Sequence, residues 1–282
     1  MDYENYMELY EAVYFYGKNG LSETVRKAVI RILVVNGLLD MDGNLSAEYY
    51  EILDNITGRN DKHYEELLAK ATNESQFFFD SISDLEYEIY SRYNFDLTFE
   101  TGKNAARFIN LADRNVLELG GNSGGFGSAF VTKYENCRYT VVDTEIPCEI
   151  GYELREKTGL NIRFIAGDIF DLKVDGIYDV IIMMNLLHDF DDAKCAKILS
   201  QCVKYCNSDT KFIIIEDILS GEFDPPEVVM HGLRLSAECR GGKQRTVNEL
   251  SDLFSGIGYA ADTTIRLDEV HSIVCFTAES QT

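Results

Sequence analysis

The stretch from Asn115 to Ser128 reads N-V-L-E-L-G-G-N-S-G-G-F-G-S. Its first part, Val116 to Leu119, has the apolar character of a buried strand, and five of the next eight residues are glycine. Glycine lets the backbone approach a ligand closely, and a helix beginning near Phe126 would direct its positive end to the same point. Glycine-rich loops also serve as plain turns, so this stretch indicates a ligand site only together with its surroundings.

Further strand-like segments follow, and each ends in polar residues. Tyr139 to Val142 leads to Asp143, about 20 residues beyond the glycine loop, where an acid of a doubly wound sheet accepts the hydroxyls of a cofactor ribose. Taken alone, Asp143 could equally be a solvated turn residue or a helix cap. The next two segments lead to Gly167, Asp168, Asn185, His188 and Asp189. Ligands of open α/β sheets bind at the carboxyl ends of strands, so the pattern predicts a site there.

The composition limits the class of protein. With 282 residues, 45% of them hydrophobic, the chain can form an α/β domain and a smaller second one. The net charge of −22 disfavours nucleic acid as a partner. The seven cysteines show no C-x-x-C spacing, which predicts free thiols in a reducing cytoplasm and no metal site. The acidic start and the short apolar runs predict neither a signal peptide nor a membrane span.

The N-terminal part has the pattern of a winged helix. Tyrosines at helical spacing from Tyr3 to Tyr14 predict a first helix, and the segment from Ser22 to Leu33 predicts a second that Gly37 ends. A short hairpin with a turn at Asp42-Gly43 follows. Winged helices often bind DNA, but three cations on the second helix, surrounded by acids, are more typical of a solvated face.

The rest of the chain reads as helices followed by an α/β unit. Residues 60–93 are helical in pattern and rich in aromatic residues, which could form core or line a pocket for a flat substrate. A helix is expected at 101–111, and strands centre on residues 117, 141, 164, 181 and 214. Thr246 and Glu249 form a capping-box pattern for a late helix. The last two strands, near 263–266 and 271–276, predict an antiparallel hairpin at the sheet edge.

Six motifs occur in the order and spacing of one family: E-L-G-G-N-S-G-G at 118–125, V-V-D-T-E-I-P at 141–147, G-D-I-F at 167–170, N-L-L-H-D-F-D-D at 185–192, I-I-E-D-I-L at 214–219 and G-G-K-Q-R-T at 241–246. Through them the whole chain resembles the S-adenosylmethionine-dependent small-molecule O-methyltransferases of plants and bacteria. The resemblance implies an α/β fold, a Rossmann-like seven-stranded methyltransferase domain preceded by a smaller, mostly helical winged-helix domain. It divides the chain into a winged-helix dimerisation domain (1–57), connecting helices (58–98) and the S-adenosylmethionine-binding domain (99–282).

The resemblance also assigns roles to residues. Gly120 and Gly121 would approach the methionine portion of the cofactor, Asp143 would hold its ribose, and Asp168 with Ile169 or Phe170 would contact its adenine. His188 stands at the position of the general base. The remaining implied site residues are Glu118, Thr144, Gly167 and Asn185 for the cofactor, and Glu216 and Gln244 beside the base. His63, His231 and His271 lack such context and are expected to be surface or packing residues.

Two departures from the family pattern bear on the chemistry. Gln244 replaces the usual acid of G-G-K-E-R-T, and Met184 stands where plant members often carry a cofactor-binding lysine. We therefore expect a cytoplasmic, homodimeric O-methyltransferase for a small, aromatic molecule, with no nucleic acid, membrane or metal partner. The alternatives are transfer to nitrogen, carbon or sulfur, non-methyl chemistry on the same fold, and a winged-helix regulator that senses a metabolite.

Overall fold

The computed structural model describes residues 3–21, 23–59, 82–220 and 241–279, together with 224, 226–229, 232, 235, 236 and 239. These residues form two compact units. The helical unit contains the described residues of 1–81, 188–191 and 217–246, and the sheet unit contains those of 82–187, 192–216 and 247–282. The chain therefore leaves the sheet unit at His188 and again at Asp217.

Among the described residues, the helices are α1 (Tyr3–Phe15), α2 (Glu23–Val35), α3 (Ala47–Arg59), α4 (Asp84–Ala105), α5 (Gly125–Lys133), α6 (Glu145–Thr158), α7 (Asp192–Cys202), α8 (Pro226–Val229) and α9 (Val247–Ser255). The strands are β1 (Asn115–Leu119), β2 (Arg138–Asp143), β3 (Ile162–Ala166), β4 (Val180–Met184), β5 (Lys211–Glu216), β6 (Ile218–Leu219), β7 (Arg245–Thr246), β8 (Tyr259–Arg266) and β9 (Ser272–Ala278). No described helix combines the length and the apolar character needed to cross a bilayer.

The core of the helical unit lies between its first three helices. The apolar face of α2, which includes Val25, Val29 and Ile32, is buried there, and Gly37, with φ +69°, follows the end of this helix as expected. The hairpin is smaller than predicted, with a single bridge between Leu39 and Leu45 around a turn held by Asp40. Leu219 and Val228 belong to the same core, so the segment after residue 216 completes the unit.

The sheet unit contains a seven-stranded sheet in the order β3-β2-β1-β4-β5-β9-β8. β1 to β5 pair in parallel, and β9 is antiparallel to both of its neighbours. The seven-stranded α/β fold and the edge hairpin of β8 and β9 are therefore confirmed. The strands that are buried on both faces, such as β4, are continuous apolar runs, as parallel strands covered by helices require.

One long helix, α4, replaces two predicted elements. Ser83 caps it, because its hydroxyl accepts from the Glu86 backbone while the Glu86 carboxylate accepts from the Ser83 backbone. The helix continues to Ala105, so the expected boundary between residues 98 and 99 falls inside it, and the helix predicted at 101–111 is its last turn followed by a loop. The predicted helical pattern at 60–81 lies outside the described residues.

Candidate functional site

The carboxyl ends of the five parallel strands lie along one edge of the sheet. The register pairs Leu119 with Val142 and Met184 with Ile215, so neighbouring strands end at nearly the same level. β9 is antiparallel and pairs its first residue with the last residue of β5. The loop before β9 therefore lies on the same edge as the loops that follow β1 to β5. We call this the ligand edge.

Two glycines after β1 are required by close contacts at this edge. Gly120 has φ +67°, and a Cβ atom there would lie 2.6 Å from Leu186 Cδ1. A Cβ atom on Gly121 would lie 2.8 Å from Glu118 Oε2. Any side chain at these positions would displace Leu186 or Glu118, so the packing around the loop requires glycine here.

Glu118 is a buried acid beneath this loop, and only 1% of its surface is exposed. Burial raises the pKa of its carboxyl to about 8, which the nearby Tyr139 hydroxyl opposes in part. Within the described chain, neither Glu118 Oε2 nor Tyr139 Oη has a hydrogen-bond partner of good geometry. A buried carboxyl in this position would gain most from a cationic group on a ligand.

The raised pKa of Glu118 predicts a pH dependence of stability. The ordinary pKa is 4.5, so between that pH and about 8 the unfolded chain loses a proton that the folded chain keeps. Glu118 therefore lowers the free energy of unfolding as pH rises through this window, by up to about 1.4 kcal/mol per pH unit. The free energy of unfolding, measured with urea from pH 5 to 8, should fall less with rising pH for Glu118→Gln than for the wild type. The exposed Glu156→Gln control should keep the wild-type dependence on pH. Equal slopes in all three proteins would contradict the burial argument.

Asp143 is held at the end of β2 by two backbone donors. Its Oδ2 accepts from the Asn122 N–H and its Oδ1 from the Thr144 N–H, each at 2.7 Å. Burial raises the pKa of Asp143, and these hydrogen bonds oppose the rise. The Thr144 hydroxyl also lies 2.9 Å from Tyr87 Oη of α4, a contact that the sequence did not indicate. The carboxylate is thus fixed in position and still has lone pairs for ligand hydroxyls.

The turn after β3 places a second carboxylate beside two apolar side chains. The Gly167 N–H donates to the Asp143 carbonyl at 2.9 Å, which ties this turn to β2. Asp168 Oδ1 accepts from the Phe170 N–H at 2.7 Å, and Ile169 and Phe170 are half-buried. An acceptor next to flat apolar surface is the arrangement that a purine base needs.

The ends of β4 and β5 are joined by hydrogen bonds. Asn185 adopts φ +48°, which asparagine tolerates better than most residues, and its N–H donates to the Ile215 carbonyl at 2.9 Å. The buried Glu216 accepts from the Leu186 N–H through Oε1 at 3.2 Å. The orientation of His188 by Glu216 stays a prediction. His271, expected to be a surface or packing residue, lies at the ligand edge with its ring 3.3 Å from the Asn185 side chain.

His188 belongs to the helical unit and lies against a half-buried carboxylate. Its Nε2 is 3.6 Å from Asp189 Oδ1, which also accepts from the Cys239 thiol at 3.2 Å. Burial raises the pKa of Asp189, and His188 and Cys239 oppose the rise. Cys239 carries no motif, so only the fold identifies it as a neighbour of the predicted base.

Gln244 makes a structural contact in the same unit. Its amide nitrogen donates to the Val228 carbonyl, and a Cβ atom on Gly232 would lie 2.7 Å from its amide oxygen. An amide can donate to this carbonyl, whereas an ionised acid cannot. The glutamine of G-G-K-Q-R-T therefore makes a hydrogen bond to α8 that an ionised acid could not make. A direct role for Gln244 beside His188 stays a prediction. The adjacent Arg245 is fully buried and donates to the Phe190 carbonyl at 2.7 Å.

Comparison with known proteins identifies the family. A sequence model of a protein family, described as an O-methyltransferase domain, matches residues 92–260. The chain belongs to this family. The resemblance inferred from the six motifs is thereby confirmed, and the match covers the glycine loop, the loops that follow β2 to β5, and His188.

Curated O-methyltransferases are similar to parts of the chain. Acetylserotonin O-methyltransferase of Gallus gallus is 28% identical over 161 residues, covering 56% of this chain and 46% of that protein. The 2,7-dihydroxy-5-methyl-1-naphthoate 7-O-methyltransferase of Streptomyces carzinostaticus is 30% identical over 176 residues, covering 62% and 51%. The chain therefore spans about half the length of the curated relatives it matches.

Solved O-methyltransferase structures share the fold along nearly the whole chain. A family 2 protein from Planctomyces limnophilus, crystallised with apigenin, has a TM-score of 0.82 at 15% identity, covering 97% of this chain and 93% of that one. An O-methyltransferase from neocarzinostatin biosynthesis was crystallised with S-adenosylmethionine and 2-hydroxy-5-methyl naphthoic acid. It has a TM-score of 0.63 at 21% identity, covering 98% and 94%.

Proposed function

We propose that this O-methyltransferase family member transfers a methyl group from S-adenosylmethionine to a hydroxyl of a small aromatic molecule. The observation that carries the proposal is the ligand edge, where the glycine loop lies between the buried Glu118 and Asp143, which two backbone N–H groups hold in place. Glu118 lies beneath Gly121, and Asp143 lies at the end of the next strand. The two carboxylates would recognise opposite ends of one amino acid–nucleoside ligand.

The residues of the sheet unit fit that cofactor. The ammonium of its methionine portion would satisfy the buried Glu118 carboxyl, for which the described residues provide no partner at Oε2. Asp143 would accept from the ribose hydroxyls, and Asp168 with Ile169 and Phe170 would hold the adenine. When bound, S-adenosylmethionine would supply an activated methyl group, because an oxygen nucleophile that attacks the methyl carbon displaces a neutral thioether.

His188 is the proposed base for the acceptor hydroxyl. Imidazole gains and loses a proton near neutral pH, which suits the removal of a proton from a phenol-like hydroxyl. His188 would take the proton of the acceptor hydroxyl as the oxygen receives the methyl group, and the product of the cofactor would be a neutral thioether. Asp189, 3.6 Å from His188 Nε2, would stabilise the imidazolium that forms.

The aromatic acceptor is inferred from relatives and from composition. The curated relatives are named for a naphthoate and for acetylserotonin, both of which carry fused rings. The chain itself has 12% aromatic residues, and none of them is tryptophan. Flat aromatic acceptors with a free hydroxyl are therefore the first class to test.

Two measurements on the full chain test the proposal. Isothermal titration with S-adenosylhomocysteine should show saturable binding at a single site. Incubation with S-adenosylmethionine and a panel of hydroxynaphthoates, hydroxyindoles and flavones should give a product heavier by one CH₂. No binding of the cofactor product by the wild-type chain would overturn the proposal.

Transfer to nitrogen is a second candidate. Phenazine-1-carboxylate N-methyltransferase of Pseudomonas aeruginosa is 23% identical over 163 residues, which shows that similarity at this level does not fix the acceptor atom. An aromatic ring nitrogen already has a free lone pair and needs no base. Fragmentation of the product locates the methyl group and thereby separates the two candidates.

We infer a winged-helix dimerisation role for the helical unit and a cytoplasmic location for the protein. The three N-terminal helices with the Leu39–Leu45 bridge support the first inference, and the free cysteines support the second. Light scattering of the purified chain should give twice the 32.0 kDa mass of one copy.

A further inference from the structure

A second imidazole–carboxylate pair lies in the loop between β8 and β9, and the chemistry proposed above does not use it. His271 Nδ1 is 3.1 Å from Asp268 Oδ2 and 3.2 Å from Oδ1. Asp268 Oδ1 also accepts from the backbone N–H groups of Val270, at 2.9 Å, and His271, at 2.6 Å. The loop is thus closed around one carboxylate, and the imidazole has a fixed place.

This arrangement determines which ring nitrogen carries the proton. Burial alone would raise the pKa of Asp268, but the hydrogen bonds and charge of His271, together with the Val270 N–H, more than offset it and lower the pKa to about 2. Asp268 is therefore ionised at neutral pH and accepts a hydrogen bond from Nδ1. In the neutral imidazole, Nε2 is then the acceptor.

The acceptor nitrogen faces a residue at the ligand edge. His271 Nε2 lies 3.3 Å from Asn185 Nδ2, and an imidazole acceptor requires that the amide present its N–H₂ group here. Asn185 is itself fixed by its left-handed backbone and by its bond to the Ile215 carbonyl. With the amide nitrogen used by His271, the carbonyl oxygen of Asn185 remains to accept from another group.

Asn185 lies close to the glycine loop through its neighbour in the chain. Leu186 follows it directly and fills the space above Gly120, while the Leu186 N–H donates to Glu216. The amide of Asn185 is therefore attached to the segment that covers the loop after β1. An oriented acceptor at this point suits a ligand group that donates hydrogen bonds.

We propose that His271, oriented by Asp268, is a positioning residue that holds the Asn185 amide with its oxygen available to a donor group of the cofactor. This inference rests on the proposed function, because the ligand is taken to be S-adenosylmethionine. The donor is either the ammonium of the methionine portion or a ribose hydroxyl. Both carry N–H or O–H groups that can donate a hydrogen bond to an amide oxygen.

The test measures cofactor affinity and turnover separately on the full chain. His271→Ala should weaken S-adenosylhomocysteine binding about tenfold and raise the KM for S-adenosylmethionine by a similar factor, the loss expected for about one hydrogen bond. The kcat at saturating cofactor should change less than about twofold, because the loss is one of binding. His271→Gln should restore most of the affinity, since its amide oxygen can accept from Asn185 in place of Nε2.

Controls separate this role from a general effect on the hairpin. Glu269→Ala, an exposed position in the same loop, should leave affinity unchanged. His271→Ala should have no further effect in an Asn185→Ala background, because the two residues act on one contact. His271→Leu repeats the test with a larger side chain should the alanine variant be unstable.

A shorter ligand identifies the donor group. Methylthioadenosine lacks the ammonium, so an effect of His271→Ala seen only with S-adenosylhomocysteine assigns the contact to the ammonium, and an equal effect on both assigns it to the ribose. If His271→Ala and His271→Leu bind S-adenosylhomocysteine as tightly as the wild type does, this inference is overturned, while the proposed function is unaffected. Failure of the wild-type chain to bind S-adenosylhomocysteine would overturn the proposed function and this inference with it.

Discussion

Asp143→Ala is expected to weaken S-adenosylhomocysteine binding by about 10²- to 10⁴-fold. Hydrogen bonds to a charged group contribute about 1.5–3 kcal/mol each, and a ribose offers two hydroxyls to this carboxylate. The geometry supports so large an effect, because two backbone N–H groups at 2.7 Å already hold Asp143 in place. Little ordering of the side chain remains to be done when the ligand binds. Isothermal titration measures the loss directly.

A variant that changes the charge alone separates recognition from loop structure. Asp143→Asn keeps the size of the side chain and one acceptor, so it should lose less affinity than the alanine variant. Asp209→Ala, an exposed acid in a turn of the sheet unit, should bind as the wild type does. Wild-type affinity in Asp143→Ala, with an unchanged melting temperature, would show that the ribose is held elsewhere.

His188→Ala is expected to lower kcat by about 10²- to 10⁴-fold, the range that general base catalysis commonly contributes. Its affinity for S-adenosylhomocysteine should stay within about twofold of the wild-type value, because the proposed cofactor contacts come from other residues. His188→Ala should therefore affect kcat much more than cofactor affinity, whereas Asp143→Ala should mainly reduce cofactor affinity. Single-turnover methyl transfer with a hydroxyl acceptor gives the rate of the chemical step.

A variant of the adjacent Asp189 and a change of acceptor test whether the loss of kcat comes from proton transfer. Asp189→Asn should lower kcat less than His188→Ala, because it weakens the stabilisation of the imidazolium and leaves the base in place. The rate of methyl transfer to an acceptor with a ring nitrogen should be the same in His188→Ala as in the wild type, since no proton has to be removed. A hydroxyl acceptor methylated at the wild-type rate by His188→Ala would exclude this residue as the base.

The sequence predicted the sheet well because its signals are local. β1 to β5 are short apolar runs, and the parallel pairing follows from the helices between them. The elements it predicted less well depend on distant contacts. The hairpin of the N-terminal region reduces to one bridge, and α4 continues through a stretch where the pattern suggested a break.

Motifs along the chain carry several residues of the candidate site, and the roles of these residues stay predictions. Gly121 and Asp143 belong to motifs, and the structure gives each a specific contact at the ligand edge. His271 and Cys239 could not be found in this way. Each acquires its neighbour from a residue far away in the chain, Asn185 in one case and Asp189 in the other.

By itself, the sequence determined the family, the positions of the parallel strands along the chain and the acids that end them, because glycine spacing and apolar runs are properties of neighbouring residues. Only the tertiary structure decided that Glu118 is buried with a pKa of about 8, that Gln244 binds a backbone carbonyl, and that an imidazole faces Asn185. Burial and hydrogen-bond partners depend on which segments the fold brings together. A pattern of residues along the chain does not contain that information.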